Sequence, residues 1–270
     1  MATPDPVLRE QVIRDGLRRL AGIPYDRTPA HIGMVIHRGM RQLLGSVDPY
    51  RDLKERTNRA ALDLYPRLSQ MVETSPGDLE LPVRLAIAGN TIDFGCLAVR
   101  GRLDLEAEIE DALHRPLAIN HLAQLRQAID SSGSILYLAD NAGEIVLDRI
   151  LIEAIPDYRA RVTVAVRGTQ VINDATLDDA RQAGLVGRVR VIENGSDAPG
   201  TILETCNELF RQAFAQADMV IAKGQGNYES LSESGRSCFF LLKAKCDLVA
   251  RDLQVARGDI VVKAGDGQGR

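Results

Sequence analysis

From Ser134 onward the chain alternates short, nearly continuous apolar runs, each bounded by turn residues, with stretches of helical periodicity. The runs are Ile135 to Ala139, Val162 to Val166, Val189 to Ile192, Met219 to Ala222, Leu248 to Ala250 and Ile260 to Val262. A strand that is apolar on both faces must be covered on both faces. The pattern therefore predicts an α/β fold, a doubly wound, largely parallel sheet with helices on either side. Helices are expected over Ile145 to Ile155 and Ile202 to Ala217, the second with Ile202, Cys206, Leu209 and Ala213 on one stripe. In such sheets ligands bind beyond the carboxyl ends of the strands, so the residues after each run carry the functional question.

The first half, to about Ser132, reads as helical, because apolar residues recur at three- and four-residue steps and β-branched runs are absent. Leu122, Leu125 and Ile129 form one such stripe. Helix boundaries are expected near Asp48-Pro49, Ser75-Pro76-Gly77 and Arg115-Pro116, since the residue before proline is pushed out of the α region. The expected division is a helical N-terminal domain over residues 1–132 and an α/β catalytic domain over 133–270.

Charge and cysteine content narrow the function classes. The 33 Lys and Arg against 37 Asp and Glu leave a net charge of −4, with no basic excess for a nucleic-acid backbone. The four cysteines include no Cys-x-x-Cys pair, which argues against a zinc ribbon or a disulfide framework. Neither a basic leader nor an apolar run of membrane-spanning length is present. A soluble, cytoplasmic protein whose partner is a small molecule is the expectation; the sequence does not read out an oligomeric state.

Three strand ends gather polar chemistry. The first delivers Asp140-Asn141-Ala142-Gly143-Glu144, the second leads to Asn173-Asp174, and the fourth run gives Lys223-Gly224-Gln225-Gly226-Asn227-Tyr228-Glu229. Each has a bland reading: Asn141 with Glu144 fits a capping box worth about 1 kcal/mol, Asp174 fits a helix cap, and the glycine turn fits a tight turn with an exposed lysine. Together they place two carboxylates and amides opposite a cationic, N–H-rich turn on one sheet edge. Oxygen donors of this kind suit a hard divalent cation such as Mg²⁺ or Mn²⁺. A hard cation beside such a turn matches the needs of phosphoryl transfer or hydrolysis.

In the helical half, Asn90 and Asp93 stand three apart within an apolar segment, either as a structural hydrogen-bonding pair or as closure of the site from the helical side. The four histidines show no metal-ligand spacing, and neither a G-x-S-x-G elbow nor a G-x-G-x-x-G fingerprint follows the first strand.

These blocks, with Lys245-Cys246-Asp247, Asp48-Pro49-Tyr50, Lys54, Asn58 and Ala88-Gly89-Asn90, resemble the signature of the domain-of-unknown-function-89 family, the metal-dependent damage-control phosphatases, in its prokaryotic branch. The resemblance implies that Asp140, Asn141 and Asp174 hold the metal and carry catalysis. It further implies that Lys223, Gly224, Gln225, Gly226, Asn227, Lys245, Asn90, Asp93 and Glu144 line the substrate or phosphate site, with Lys223 and Lys245 balancing phosphate charge. The cofactor would be Mg²⁺ or Mn²⁺, with Co²⁺ or Ni²⁺ as further options, and the substrates small phosphorylated metabolites, including sugar phosphates. Relatives often carry an N-terminal Cys-x-x-Cys pair, whereas the first cysteine here is Cys96. Two alternatives to the phosphatase stay open, a non-catalytic phosphometabolite-binding protein and an S-adenosylmethionine-dependent carboxyl methyltransferase, and within the phosphatase reading Asp140 is either a metal ligand or a covalent nucleophile.

Overall fold

A computed structural model describes residues 3–45, 48–90 and 105–265. Helices α1 (Pro6–Ala21), α2 (Pro29–Leu44), α3 (Arg51–Glu73), α4 (Glu80–Gly89) and α5 (Leu105–His114) come first. The three expected helix boundaries fall where the prolines and glycines stand: between α2 and α3, between α3 and α4, and just after α5.

The sheet begins earlier than expected. Strand β1 (Leu117–Asn120) lies inside the stretch read as helical, followed by α6 (Leu122–Ser131), whose Leu125 and Ile129 are buried. Then come β2 (Ile135–Leu138), α7 (Glu144–Ala154), α8 (Tyr158–Arg161), β3 (Val162–Val166), α9 (Leu177–Gln182) and β4 (Arg190–Glu193). The chain closes with α10 (Glu208–Gln216), β5 (Met219–Lys223), α11 (Gly224–Leu231), β6 (Phe239–Lys243), α12 (Asp247–Leu253) and β7 (Ile260–Ala264).

The seven strands run in the order β1-β7-β6-β5-β2-β3-β4, parallel throughout except for the β6–β7 pair. On β2, Ile135 and Tyr137 face one apolar layer and Leu136 and Leu138 the other, so both faces are covered as the apolar runs require. Helices α3, α4 and α7 build the first layer; Phe210 and Phe214 of α10 help fill the second.

Two local expectations are corrected. Leu248 to Ala250 lies in α12, where Val249, Ala250 and Leu253 share the buried face at helical spacing, and Phe239–Lys243 supplies the strand instead. The helix expected from Ile202 begins at Glu208, because the Asn207 side chain accepts from Phe210 N and caps it; Phe210 and Phe214 then form its buried face, leaving Leu209 exposed. The order of the central strands has a functional consequence. The chain leaves β2 toward β3 and β4 on one side, and later fills β5 and β6 on the other. The topological switch point, where a crevice opens, is thus between β2 and β5.

Candidate active site

The end of β2 delivers Asp140 and Asn141, and the segment after β3 folds back beside them. Ala175 N donates to Asp140 O at 2.8 Å and Ala142 N to Asn173 O at 2.8 Å, and Asn141 bridges to Asp174. Asp140, Asn141 and Asp174, far apart in sequence, therefore meet at the carboxyl edge. The capping readings fail here. Helix α7 starts after Gly143, whose φ of 77° only glycine adopts easily, and although Asn141 O accepts from Ile145 N at 3.1 Å, the Asn141 side chain caps no N–H. Its Nδ2 donates to Asp140 Oδ2 at 2.7 Å and Glu144 Oε2 at 3.0 Å. The cap of α9 is Thr176, in a reciprocal box with Asp179, which leaves Asp174 free of that duty.

The helices ahead of the sheet grip both turns. Asn58 of α3 accepts from Gly143 N at 2.6 Å and donates to Asp179 at 2.9 Å, and Lys54 pairs with Asp179 at 2.7 Å in a buried setting. Asn90, at the end of α4 and fully buried, donates to Asp140 Oδ2 at 2.9 Å and Glu144 Oε2 at 3.0 Å. Asp93 and Cys96 lie outside the described residues.

The signature turn follows β5. Gly224 has φ 78°, and a Cβ on it would stand 1.9 Å from Asp140 Oδ2. Because α11 begins at Gly224, the N–H groups of its first turn have no intrahelical acceptor and are available to an anion. The side chains of this turn are already occupied. Gln225 accepts from Lys245 N and donates to Glu229; fully buried Asn227 donates to Lys223 O and accepts from Thr201 and Arg167.

Lys223 is the sharpest departure from the sequence reading. It is fully buried, and its ammonium gives all three protons away, to Glu144 Oε1 and Asp148 Oδ1 at 2.6 Å each and to Ala86 O at 2.8 Å. No proton remains for a phosphate oxygen. Glu144 is likewise fully buried, its oxygens taken up by Lys223, Asn90 and Asn141. Lys245 is different: half-buried, it makes no ammonium hydrogen bond or ion pair among the described residues, and its charge acts on Asp140.

Sequence reasoning missed Arg167. Only 2% exposed, it donates to Asp174 Oδ2 at 2.6 Å, to Thr201 and Asn227 at 3.2 Å each, and lies 3.8 Å from Asp140 Oδ1. It ties the two carboxylates to the signature turn. It follows β3 directly, but its partner lies seven residues on, and only the fold-back of the chain reveals the pairing. Asp148 and Tyr137, hydrogen-bonded to each other at 2.8 Å beneath the site, were also missed.

The electrostatics are those of crowded carboxylates. Burial, then the negative charges of Glu144 and Asp174, push Asp140 up to about 8 against the pull of Lys245 and Arg167. Burial raises Asp174 too, although Arg167 opposes it. Asp148 rises to about 7 by burial despite Lys223, while the two acids hold Lys223 above its ordinary value against the desolvation that would lower it.

Among the described residues no cluster of three His, Cys, Asp or Glu side chains is placed to hold a metal ion; the donor set is two carboxylates and a carboxamide. All its donors are hard oxygens. Asp140 Oδ1 and Asn141 Oδ1 accept no hydrogen bond among the described residues, and the crowding that raises Asp140 is what a divalent cation relieves. The residues fit a hard cation.

Near this centre the loop wall is strained. Ile172 has φ 46°, a left-handed conformation that costs a β-branched residue about 1–3 kcal/mol. Such outliers cluster at functional sites.

Comparison with known proteins agrees in extent and fold. Residues 1–261 match the family described as Damage-control phosphatase ARMT1-like domain. A damage-control phosphatase of Archaeoglobus fulgidus is 38% identical over 272 residues, covering 97% of this chain and 92% of that protein. One of Pyrococcus horikoshii is 38% identical over 264 residues, covering 97% and 90%. The crystal structure of a DUF89 family protein from Pyrococcus horikoshii superposes with a TM-score of 0.86 at 36% identity, covering 98% of this chain and 92% of that one.

Proposed function

The chain belongs to the damage-control phosphatase ARMT1-like (DUF89) family, and on that premise we propose that it is a metal-dependent phosphomonoester hydrolase acting on small phosphorylated metabolites, sugar phosphates or damaged phosphometabolites among them. The observation that carries the reading is the convergence of Asp140, Asn141 and Asp174 at the switch point, opposite the first turn of α11.

A divalent ion, Mg²⁺ or Mn²⁺ with Co²⁺ or Ni²⁺ as further options, would be held by Asp140, Asn141 and Asp174 and would supply charge neutralisation of the phosphoryl group and a more acidic water. The first-turn N–H groups of α11 bind the phosphoryl oxygens, and Lys245 balances their charge. Lys223, Glu144, Asn90, Asn227 and Arg167 act one step back, fixing the ligands and the turn so that the site is rigid before substrate arrives. Asp140 would serve as a ligand through Oδ1, its Oδ2 being fixed by Asn90 and Asn141.

The proposal extends to the organisation of the molecule. The helices before β1 form the cover that positions both site turns, as Asn58 and Asn90 do, and shapes the leaving-group side. Within the described residues no helix is long and apolar enough to cross a membrane; the setting we assign is the cytoplasm. Phosphate release by metal-stripped protein given back single divalent ions tests the reading, and a non-catalytic binder would release none.

A further inference from the structure

Three helices end together at a place remote from Asp140. The last two turns of α3, α6 and α7 each present an i, i+3, i+4 face to a cavity of about 410 Å³, closed by the turn that leads into α4. The volume lies in the range of small-molecule sites. Helix α7 leaves the metal-ligand turn at Glu144 and reaches this cavity at Ala154, about 15 Å along its axis. Among the described residues, none that we place at the metal or the phosphoryl group lines it.

The floor of the cavity is apolar. Leu79, Ile129 and Ile150 form it at the edge of the first core layer, with Val72 and Ala154 beside them. The rim carries four carboxylates, of which two are committed. Glu153 takes the Tyr65 hydroxyl and pairs with Arg149 at 2.9 Å and Arg188 at 3.3 Å, and Asp78 accepts from Glu80 N at 2.8 Å at the start of α4. The other two keep their charge. Among the described residues Glu73 accepts only from the Ser69 hydroxyl, at 3.3 Å, and the Asp130 carboxylate makes no hydrogen bond or ion pair. Arg126, the cation of the lining, donates to Gly77 O at 2.8 Å. The backbone adds negative potential of its own. Helices α3 and α7 bring the negative ends of their dipoles here with no basic residue in the last turn of either, whereas Arg161 serves the end of α6 through Ile129 O and Ser132 O. An apolar floor beneath two uncommitted carboxylates and two helix C-termini repels an anion and selects a cation with an apolar body.

We propose that this cavity is a second ligand site, separate from the phosphoryl site, and that it takes a small organic cation, a primary amine on an aliphatic body, with the ammonium at Glu73 and Asp130. The inference stands independently of the phosphatase reading. Full-length, Mg²⁺-loaded protein is titrated with hexylamine, butylamine, hexan-1-ol and hexanoate while its backbone amides are followed by NMR. Hexylamine is expected to give saturable shifts, largest in the last turns of α3, α6 and α7. Butylamine binds about fifteenfold more weakly, the effect of two buried methylenes lost. Hexan-1-ol binds more weakly than hexylamine, and hexanoate does not bind. Glu73→Gln and Asp130→Asn each weaken hexylamine about fivefold, the upper range for an exposed ion pair. Ala154→Leu, which fills the floor and keeps both carboxylates, weakens it at least as much, so any one folded variant suffices should another not fold. Equal binding of hexylamine and hexanoate, the absence of saturable shifts, or folded variants that bind hexylamine as wild type does would overturn the proposal. Shifts centred on Asp140 and Asp174 would overturn it too, since they would place the amine in the metal site.

Discussion

Gly224 stands against Asp140 with no room for a side chain between them: a Cβ there would lie 1.9 Å from Asp140 Oδ2, and φ is 78°. The smallest substitution therefore displaces the carboxylate most central to the site. Gly224→Ala is expected to lower metal-dependent turnover by about a hundredfold or more, the penalty for moving a reacting geometry by an ångström. Steady-state assays of the folded variant check this; retention of wild-type kcat/KM would remove Asp140 from the mechanism.

Among the described residues Lys223 is the only cation hydrogen-bonded to Glu144 and Asp148, and Asp148 Oδ2 has no hydrogen-bond partner there. Lys223→Met leaves two buried carboxylates facing each other. A destabilisation of about 3–5 kcal/mol is expected, read from urea unfolding at unchanged slope. A loss below about 0.5 kcal/mol would mean that the ammonium does not hold this layer together.

Much of this was legible in the chain. The central strands announce themselves because they are buried on both faces, and Asp140, Asn141 and Asp174 because they follow strand ends. Strand β1 escaped notice since only Leu117 and Ile119 turn inward while Ala118 and Asn120 are exposed, so no continuous apolar run exists. Leu248 to Ala250 is too short for composition to separate strand from helix. The resemblance makes Lys223 a phosphate-binding cation of the glycine turn, yet it is the last residue of β5. Alternation places it on the face of Met219 and Ile221, toward α4 and α7. That signal was in the sequence. The pairing of Arg167 with Asp174 was not, because it depends on how the loop between them returns to the sheet.

Asn58 links α3 to the turn that sets α7, through Gly143 N, and to Asp179 beyond it. Asn58→Ala strands a buried N–H and a buried carboxylate oxygen, at a cost of about 1–3 kcal/mol per group. We expect lower stability by calorimetry together with reduced kcat, since the same contact positions Asn141. A variant that loses stability but keeps kcat would confine Asn58 to a packing role.

Asp197 anchors α2 through Arg38 and Arg41. Its burial alone would raise the carboxyl, but the hydrogen bond and charge of Arg38, with the charge of Arg41, bring it below its ordinary value. A carboxylate with a lower pKa folded than unfolded adds stability above the unfolded value and loses it as pH falls through the folded one. The contribution is thus complete above about pH 5 and fades below about pH 4. Wild type is expected to melt above Asp197→Asn at neutral pH, with the difference closing as acid is added. A constant difference from pH 3 to pH 7 would contradict the ion-pair origin.

The most direct measurement is phosphate release from a panel of phosphate monoesters by metal-stripped protein, with Mg²⁺, Mn²⁺, Co²⁺ or Ni²⁺ returned singly and Asp174→Ala run in parallel. The predicted result is turnover that appears only with metal and disappears in the variant, while both proteins remain folded. Turnover by the stripped protein equal to that of the reconstituted one, or an active Asp174→Ala, would contradict a hydrolase built on Asp140, Asn141 and Asp174.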